Sequence, residues 1–195
     1  MPPMIASRTA TARLAGFLYL FVLASFMAGT FALARFAAAE GPYRLALLGP
    51  LVSALATVPL AAAFHALLKP AGAAVSTCAL LFRTVEAALG GLTVVLLAAA
   101  LKDAAQVSFH VGIVFFAPGS ALFFVLMART RLVPRPLAAL GVGASVLTGL
   151  LGAALIAAPA LVRTIGFAGW APIFVAEIGT GLWLLLRGAG PESPR

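Results

Sequence analysis

The chain has 195 residues, of which 63% are hydrophobic and 9% are charged, and its mean hydropathy is +1.13. A soluble domain carries about 25% charged residues, so this chain cannot cover a compact globule with a wetted surface. A soluble enzyme and a disordered chain are therefore excluded as the main interpretation. The net charge of +8 does not indicate nucleic-acid binding, because the basic residues are scattered singly between apolar runs. What remains is an integral membrane protein with little mass outside the bilayer.

Six apolar runs are long enough to cross a bilayer, which takes about 20 residues of helix. The runs are continuously apolar and lack the alternation of an outer-membrane strand. We therefore predict an all-α fold, a polytopic transmembrane helical bundle with six membrane spans in a single domain over residues 1–195. The spans are predicted at about residues 14–34, 45–68, 75–101, 107–128, 137–158 and 168–186. Turn-like residues separate several of them, at Glu40–Pro42, Lys69–Gly72, Lys102–Asp103 and Val133–Pro136.

The first run has an alternative interpretation as a signal peptide. Arg8 and Arg13 precede the run, and Ala32-Leu33-Ala34 resembles a signal-peptidase site. The apolar part of a signal peptide spans about 7–15 residues, however, and this run spans about 21. We therefore expect an uncleaved first helix.

The orientation follows from the distribution of basic residues between the two sides. With six spans, the two termini, the loop between spans two and three and the loop between spans four and five share one side. That side carries Arg8, Arg13, Lys69, Arg129, Arg131, Arg135, Arg187 and Arg195, and the other side carries Arg35, Arg44, Lys102 and Arg163. Eight against four predicts that both termini are cytoplasmic. The Ala- and Arg-rich composition is typical of a GC-rich bacterial genome, which predicts a multi-pass protein of the bacterial inner membrane.

The fifth run carries a face of small residues. Gly141, Ser145, Gly149 and Ala153 recur every four residues, which is the spacing that lets membrane helices approach closely. We expect a helix-packing face here. The sequence leaves open whether this face meets a helix of the same chain, a second copy in a homo-oligomer or another membrane partner.

Three ionisable residues lie well inside predicted spans: Arg83, Glu86 and Glu177. A charge at membrane depth costs roughly 2.5–3.5 kcal/mol on insertion scales, so such residues normally face the bundle interior and find partners. Arg83 and Glu86 are three residues apart and share a helix face. We expect the three to meet near the midplane, either as a functional polar site or as a clamp that only fixes the helix register.

Four further polar residues are secondary candidates for the site: His65, His110, Thr84 and Thr180. The histidines are predicted near opposite sides of the membrane, so they do not indicate a shared metal site. The single cysteine, Cys78, rules out an intrachain disulfide and a cysteine-based metal site. The sequence also lacks the zinc-protease, nucleophile-elbow, P-loop and dinucleotide-binding motifs. We therefore predict neither metal nor cofactor, and an enzymatic role stays open but is not favoured.

Several short segments together resemble a family of bacterial membrane proteins. They are Ala12-Arg13-Leu14-Ala15-Gly16-Phe17-Leu18-Tyr19, Leu81-Phe82-Arg83-Thr84-Val85-Glu86-Ala87, Gly112-Ile113-Val114-Phe115-Phe116, Val133-Pro134-Arg135-Pro136-Leu137 with Leu140-Gly141, and Ala176-Glu177 leading to Leu182-Trp183-Leu184-Leu185-Leu186-Arg187-Gly188. In that order they resemble the six-helix family catalogued as domain of unknown function four-three-eight-six. The resemblance implies a six-helix fold, and it implies no activity. Arg83, Glu86 and Glu177 match positions in its segments.

We expect a small binding or transport-like bundle with a buried polar site near the midplane. Its expected partners are membrane lipids and an unidentified small ligand, with no nucleic acid. The alternatives are a non-catalytic interaction or scaffold subunit and, less favoured, an intramembrane enzyme that acts on lipid. A cavity of a few hundred Å³ beside Glu86 favours binding or transport, whereas a filled bundle favours the scaffold.

Overall fold

The computed structural model describes residues 3–158 and 166–189, and side chains within 7–158 and 168–189. Arg163 and Arg195, which enter the orientation argument, lie outside the described residues. The described chain is helical throughout apart from short connections. Its helices are α1 Pro3–Arg35, α2 Glu40–Ala46, α3 Leu48–Leu68, α4 Ala73–Ala98, α5 Lys102–Thr130, α6 Arg135–Ala157 and α7 Ala171–Arg187, with 3₁₀ turns at Lys69–Ala71 and Gly166–Gly169.

The six long helices form a closed ring in chain order. Each of α1, α3, α4, α5, α6 and α7 packs against the next, and α7 packs back against α1. Neighbours run antiparallel. On α3 and α1, Ser53 bonds to Val22 whereas the earlier Pro50 lies against the later Gly29. On α5 and α4, Ser108 bonds to Leu89 whereas the later Gly119 lies against the earlier Arg83. The bundle therefore has a terminal end, where α1 begins and α7 ends, and an opposite end.

The predicted all-α, polytopic membrane fold is confirmed, and five described helices are long and apolar enough to cross a membrane. The sixth, α7, has 17 residues, or about 25 Å at 1.5 Å per residue, which is short for a hydrocarbon core of about 30 Å. It nevertheless completes the ring between α6 and α1.

Two predicted turns are helical instead. Glu40–Pro42 begins α2, because proline is tolerated in the first helical turn, where its missing N–H has no helical partner. Lys102 and Asp103 begin α5, and the turn lies at Ala99–Leu101. There Ala100 takes a left-handed φ of 62°, and the Leu101 N–H donates to the Leu96 carbonyl at 2.9 Å, a typical helix-ending motif. The third span therefore stops at Ala98 rather than near residue 101.

The two halves of the bundle are filled differently. The buried apolar core lies in the half nearer the terminal end, where it includes Ala15, Phe64, Phe124, Met127 and Leu184. The other half encloses a large cavity that all six long helices line. The fold is thus a ring of helices that is packed at one end and hollow toward the other.

The small-residue face of α6 packs against α5 of the same chain. A Cβ on Gly141 would overlap the Phe124 ring, and one on Gly149 would lie 2.6 Å from the Ala117 Cβ. Ser145 is fully buried, but Ala153 is exposed. Four residues turn an α-helix by about 400°, so the predicted face drifts about 40° per step. At the far end the contact accordingly passes from Ala153 to Gly152.

Candidate functional site

The cavity has a volume of about 590 Å³, within the range of about 300–1,000 Å³ found for small-molecule pockets. Its mouth at the opposite end carries the exposed Lys102, Asp103 and Gln106 at the start of α5. Its walls are mainly apolar and include Phe26, Phe109 and several aliphatic side chains. Toward the packed half of the bundle its lining includes Arg83, Glu86 and Glu177, which we name the charged floor.

Arg83 and Glu86 form a local ion pair on α4. Arg83 Nη1 lies 3.0 Å from Glu86 Oε2, and the two side chains are 6% and 22% exposed. Neither atom has an aligned hydrogen-bond partner, so the pair is electrostatic, without a directed N–H···O bond. The guanidinium also lies over the Phe116 ring, 4.6 Å from its centroid, a cation–π arrangement. Arg83 is therefore held from two sides, and Glu86 is the more accessible partner.

The close approach of α5 makes room for this arginine. Gly119 faces the aliphatic stem of Arg83, and a Cβ there would lie 3.0 Å from the Arg83 Cγ and 3.2 Å from the Ala79 carbonyl oxygen. Glycine at this position lets α4 and α5 pack tightly while Arg83 lies between them. The buried arginine is thus positioned by a packing feature of the neighbouring helix.

Glu177 reaches the same place from α7. Its carboxylate lies close enough to Arg83, Glu86 and the Tyr19 hydroxyl of α1 to interact with all three. The Tyr19 hydroxyl in turn lies beside Ser120 of α5, and both residues line the same small void. The charged floor thus brings together the three residues singled out from the sequence, and Tyr19 and Ser120 extend this polar group to four helices.

Aromatic packing closes the space below the charged floor. Tyr19 packs edge-on against Phe64 at 5.4 Å between ring centroids, and Phe64 packs against Phe123 at 5.5 Å. A second void of about 10 Å³ lies among these rings, Arg83 and Ser120, at the lower limit for a single water molecule. The cavity is consequently open toward one end and plugged toward the other.

None of the four secondary candidates lines the cavity. His65 Nδ1 lies 3.0 Å from the Ser76 hydroxyl oxygen, joining α3 and α4 near the terminal end, whereas the buried His110 lies in the other half of the bundle on α5. Thr84 is on the outer surface, and its hydroxyl donates to the Leu80 carbonyl oxygen. Thr180 is fully buried on α7 without a hydrogen-bond partner. Among the described residues no group of three potential ligands can hold a metal ion.

Three participants were missed by reasoning from the sequence: Tyr19, Ser120 and Thr148. Thr148 lines the cavity, is 3% exposed, and its hydroxyl has no hydrogen-bond partner. The sequence feature that could have indicated these three residues is a hydroxyl group inside an otherwise apolar span. Hydroxyls are common in membrane helices and often bond within their own helix, so this signal does not by itself separate Ser120 from Thr84.

One comparison with known proteins identifies a family. The family model described as a domain of unknown function, DUF4386, matches residues 11–103 and 95–188. These two segments extend from the first long helix to the end of α7. No curated protein and no solved structure matches the chain.

Proposed function

The chain belongs to the DUF4386 family, and from the form of its cavity we propose that it is a small binding or transport-like membrane protein. The observation that carries the proposal is the half-hollow bundle, in which a cavity of about 590 Å³ ends on a buried charged floor. Ligand pockets combine apolar walls with a few convergent polar groups. This cavity has that composition, since its aromatic and aliphatic walls lead to Arg83, Glu86 and Glu177.

The shape favours a ligand that enters from one side and stops at the midplane. The cavity is open near Lys102 and Asp103 and is blocked below by the packed rings of Tyr19, Phe64 and Phe123. Transport would require this aromatic plug to open, whereas binding would not. We place the mouth on the outer side of the bacterial inner membrane, in keeping with the excess of basic residues at the terminal end.

The scaffold alternative has less support from the fold. The small-residue face that was its candidate docking surface packs against α5 through Gly141 and Gly149. That face is therefore engaged within the chain. A buried charge beside a cavity also fits a ligand site better than a register clamp, because a clamp functions without any space beside it.

The test measures how much three probes, n-octylammonium, n-octanoate and n-octanol, stabilise the protein against thermal unfolding in detergent. The measurement is repeated on a variant in which a bulky side chain fills the cavity. Ala87 lines the cavity, so Ala87→Phe should block it, whereas Ala88 lies on the outer surface and Ala88→Phe is the matched control. A probe at 100 times its Kd stabilises a protein by about 2.7 kcal/mol, or about 5–11 °C in Tm at this chain length.

We expect at least one probe to raise the Tm of the unmodified protein and of Ala88→Phe but not that of Ala87→Phe. Equal shifts in both variants would assign the stabilisation to the outer surface and contradict the proposal. The absence of a shift with all three probes would contradict it too.

A further inference from the structure

We propose that the cavity takes an amphipathic organic cation, a protonated amine with an apolar body, whose ammonium group binds at Glu86 and Glu177. The inference rests on the proposed function and names its ligand class. Three observations support it: the balance of acidic and basic side chains in the cavity lining, the greater exposure of Glu86 than of Arg83, and the aromatic and hydroxyl groups of the cavity walls.

The charge balance of the cavity favours a cation. The lining contains two basic side chains, Arg83 and Lys102, against three acidic ones, Glu86, Asp103 and Glu177. Lys102 and Asp103 are neighbours at the exposed mouth and offset each other there. The charged floor holds two carboxylates and one guanidinium. With both carboxylates ionised the floor carries one net negative charge, which a bound monocation neutralises, whereas a bound anion adds a second uncompensated negative charge, which is costly at membrane depth.

Access to the charged floor also favours a cation. The Arg83 side chain is 6% exposed, and Glu86 and the Phe116 ring hold its guanidinium. An anion would have to displace these neighbours. Arg83 Nη1 and Glu86 Oε2 lack aligned hydrogen bonds but lie only 3.0 Å apart, so a small rotation lets the first donate to the second. The more exposed Glu86 is what an entering ligand meets.

The walls add two further matches to an ammonium group with an apolar body. Phe26 and Phe109 stack at 5.8 Å between centroids beside the cavity, and these rings suit the apolar body of the ligand. The Thr148 hydroxyl, buried and without a partner, supplies an acceptor that lines the same space. An ammonium group brings up to three donors and no acceptor, which suits carboxylates and a hydroxyl oxygen.

The test compares the three octyl probes, which share one apolar body and differ in charge at the head. Trp170 lies in the cavity lining, so its fluorescence reports binding in a Trp183→Phe background that removes the other tryptophan. We expect the Kd of n-octylammonium to be at least ten-fold lower than that of n-octanol, with n-octanoate binding most weakly. Glu177→Gln should raise the Kd of n-octylammonium about ten-fold and leave that of n-octanol unchanged.

Glu86→Gln is the second variant if Glu177→Gln does not fold, and Glu40→Gln is the control, since Glu40 pairs with Arg44 on the surface. Equal affinity for n-octylammonium and n-octanol, or tightest binding of n-octanoate, would overturn the cation assignment while the cavity remains a binding site. Failure of all three probes to bind the unmodified protein would instead overturn the proposed function and this inference with it.

Discussion

Replacing Arg83 with leucine should destabilise the bundle more than removing either acid. The substitution leaves the carboxylates of Glu86 and Glu177, both partly buried inside the bundle, without the cation that lies beside them. Breaking a buried ion pair by removing one partner costs about 3–5 kcal/mol, because an uncompensated charge is left behind. At about 2–4 °C per kcal/mol for a chain of this length, the expected loss in Tm is about 6–20 °C.

The triple variant Arg83→Leu, Glu86→Gln, Glu177→Gln should recover most of this loss, since neutral amides strand no charge. Arg44→Leu is the matched control, because the Arg44–Glu40 pair is 67% and 84% exposed and such pairs contribute about 0–1 kcal/mol. The assay is thermal unfolding of the purified protein in one detergent. A Tm for Arg83→Leu equal to that of Arg44→Leu, or a triple variant no more stable than Arg83→Leu alone, would refute the reasoning.

Three further predictions concern packing, the hydroxyl network and orientation. Gly149→Leu should lower the Tm, because a Cβ there already meets Ala117 at 2.6 Å, whereas Gly143→Leu faces open space and should not; equal Tm values would remove the packing claim. Tyr19→Phe should cost about 1–3 kcal/mol by leaving buried polar groups unpaired, and unchanged thermal unfolding would show that the hydroxyl is dispensable. In a cysteine-free background, Asp103→Cys should react with an impermeant reagent outside the cell and Arg131→Cys should not, and the reverse pattern would invert the orientation.

The positions of the helices could be predicted because the bilayer imposes them. A run of apolar residues has few alternatives to a spanning helix, so α3, α5 and α6 lie close to their predicted places. Helix ends were less predictable. Ala100 ends α4 in a left-handed conformation that is usually adopted by glycine. Because the residue is alanine, the sequence did not indicate that the helix ends here.

The closure of the ring and its hollow half could not be predicted. Whether space remains inside depends on how side chains from six helices fill a common volume, and no single helix carries that information. The charged residues were an exception, because their cost at membrane depth requires partners inside the bundle. That argument grouped Glu177 with Arg83 and Glu86, which lie together in the structure, but it did not find Tyr19, whose hydroxyl lies beside Glu177.

Solvent access at Ala87 tests the central claim most directly, because this residue follows Glu86 and lines the deep part of the cavity. Ala87→Cys is made in a Cys78→Ser background and exposed to an impermeant thiol reagent from each side of the membrane in turn. We predict reaction from the side that labels Asp103→Cys and none from the other side. No reaction from either side, or a rate no higher than that of the outward-facing Ala88→Cys, would contradict a water-accessible cavity that ends on Arg83, Glu86 and Glu177.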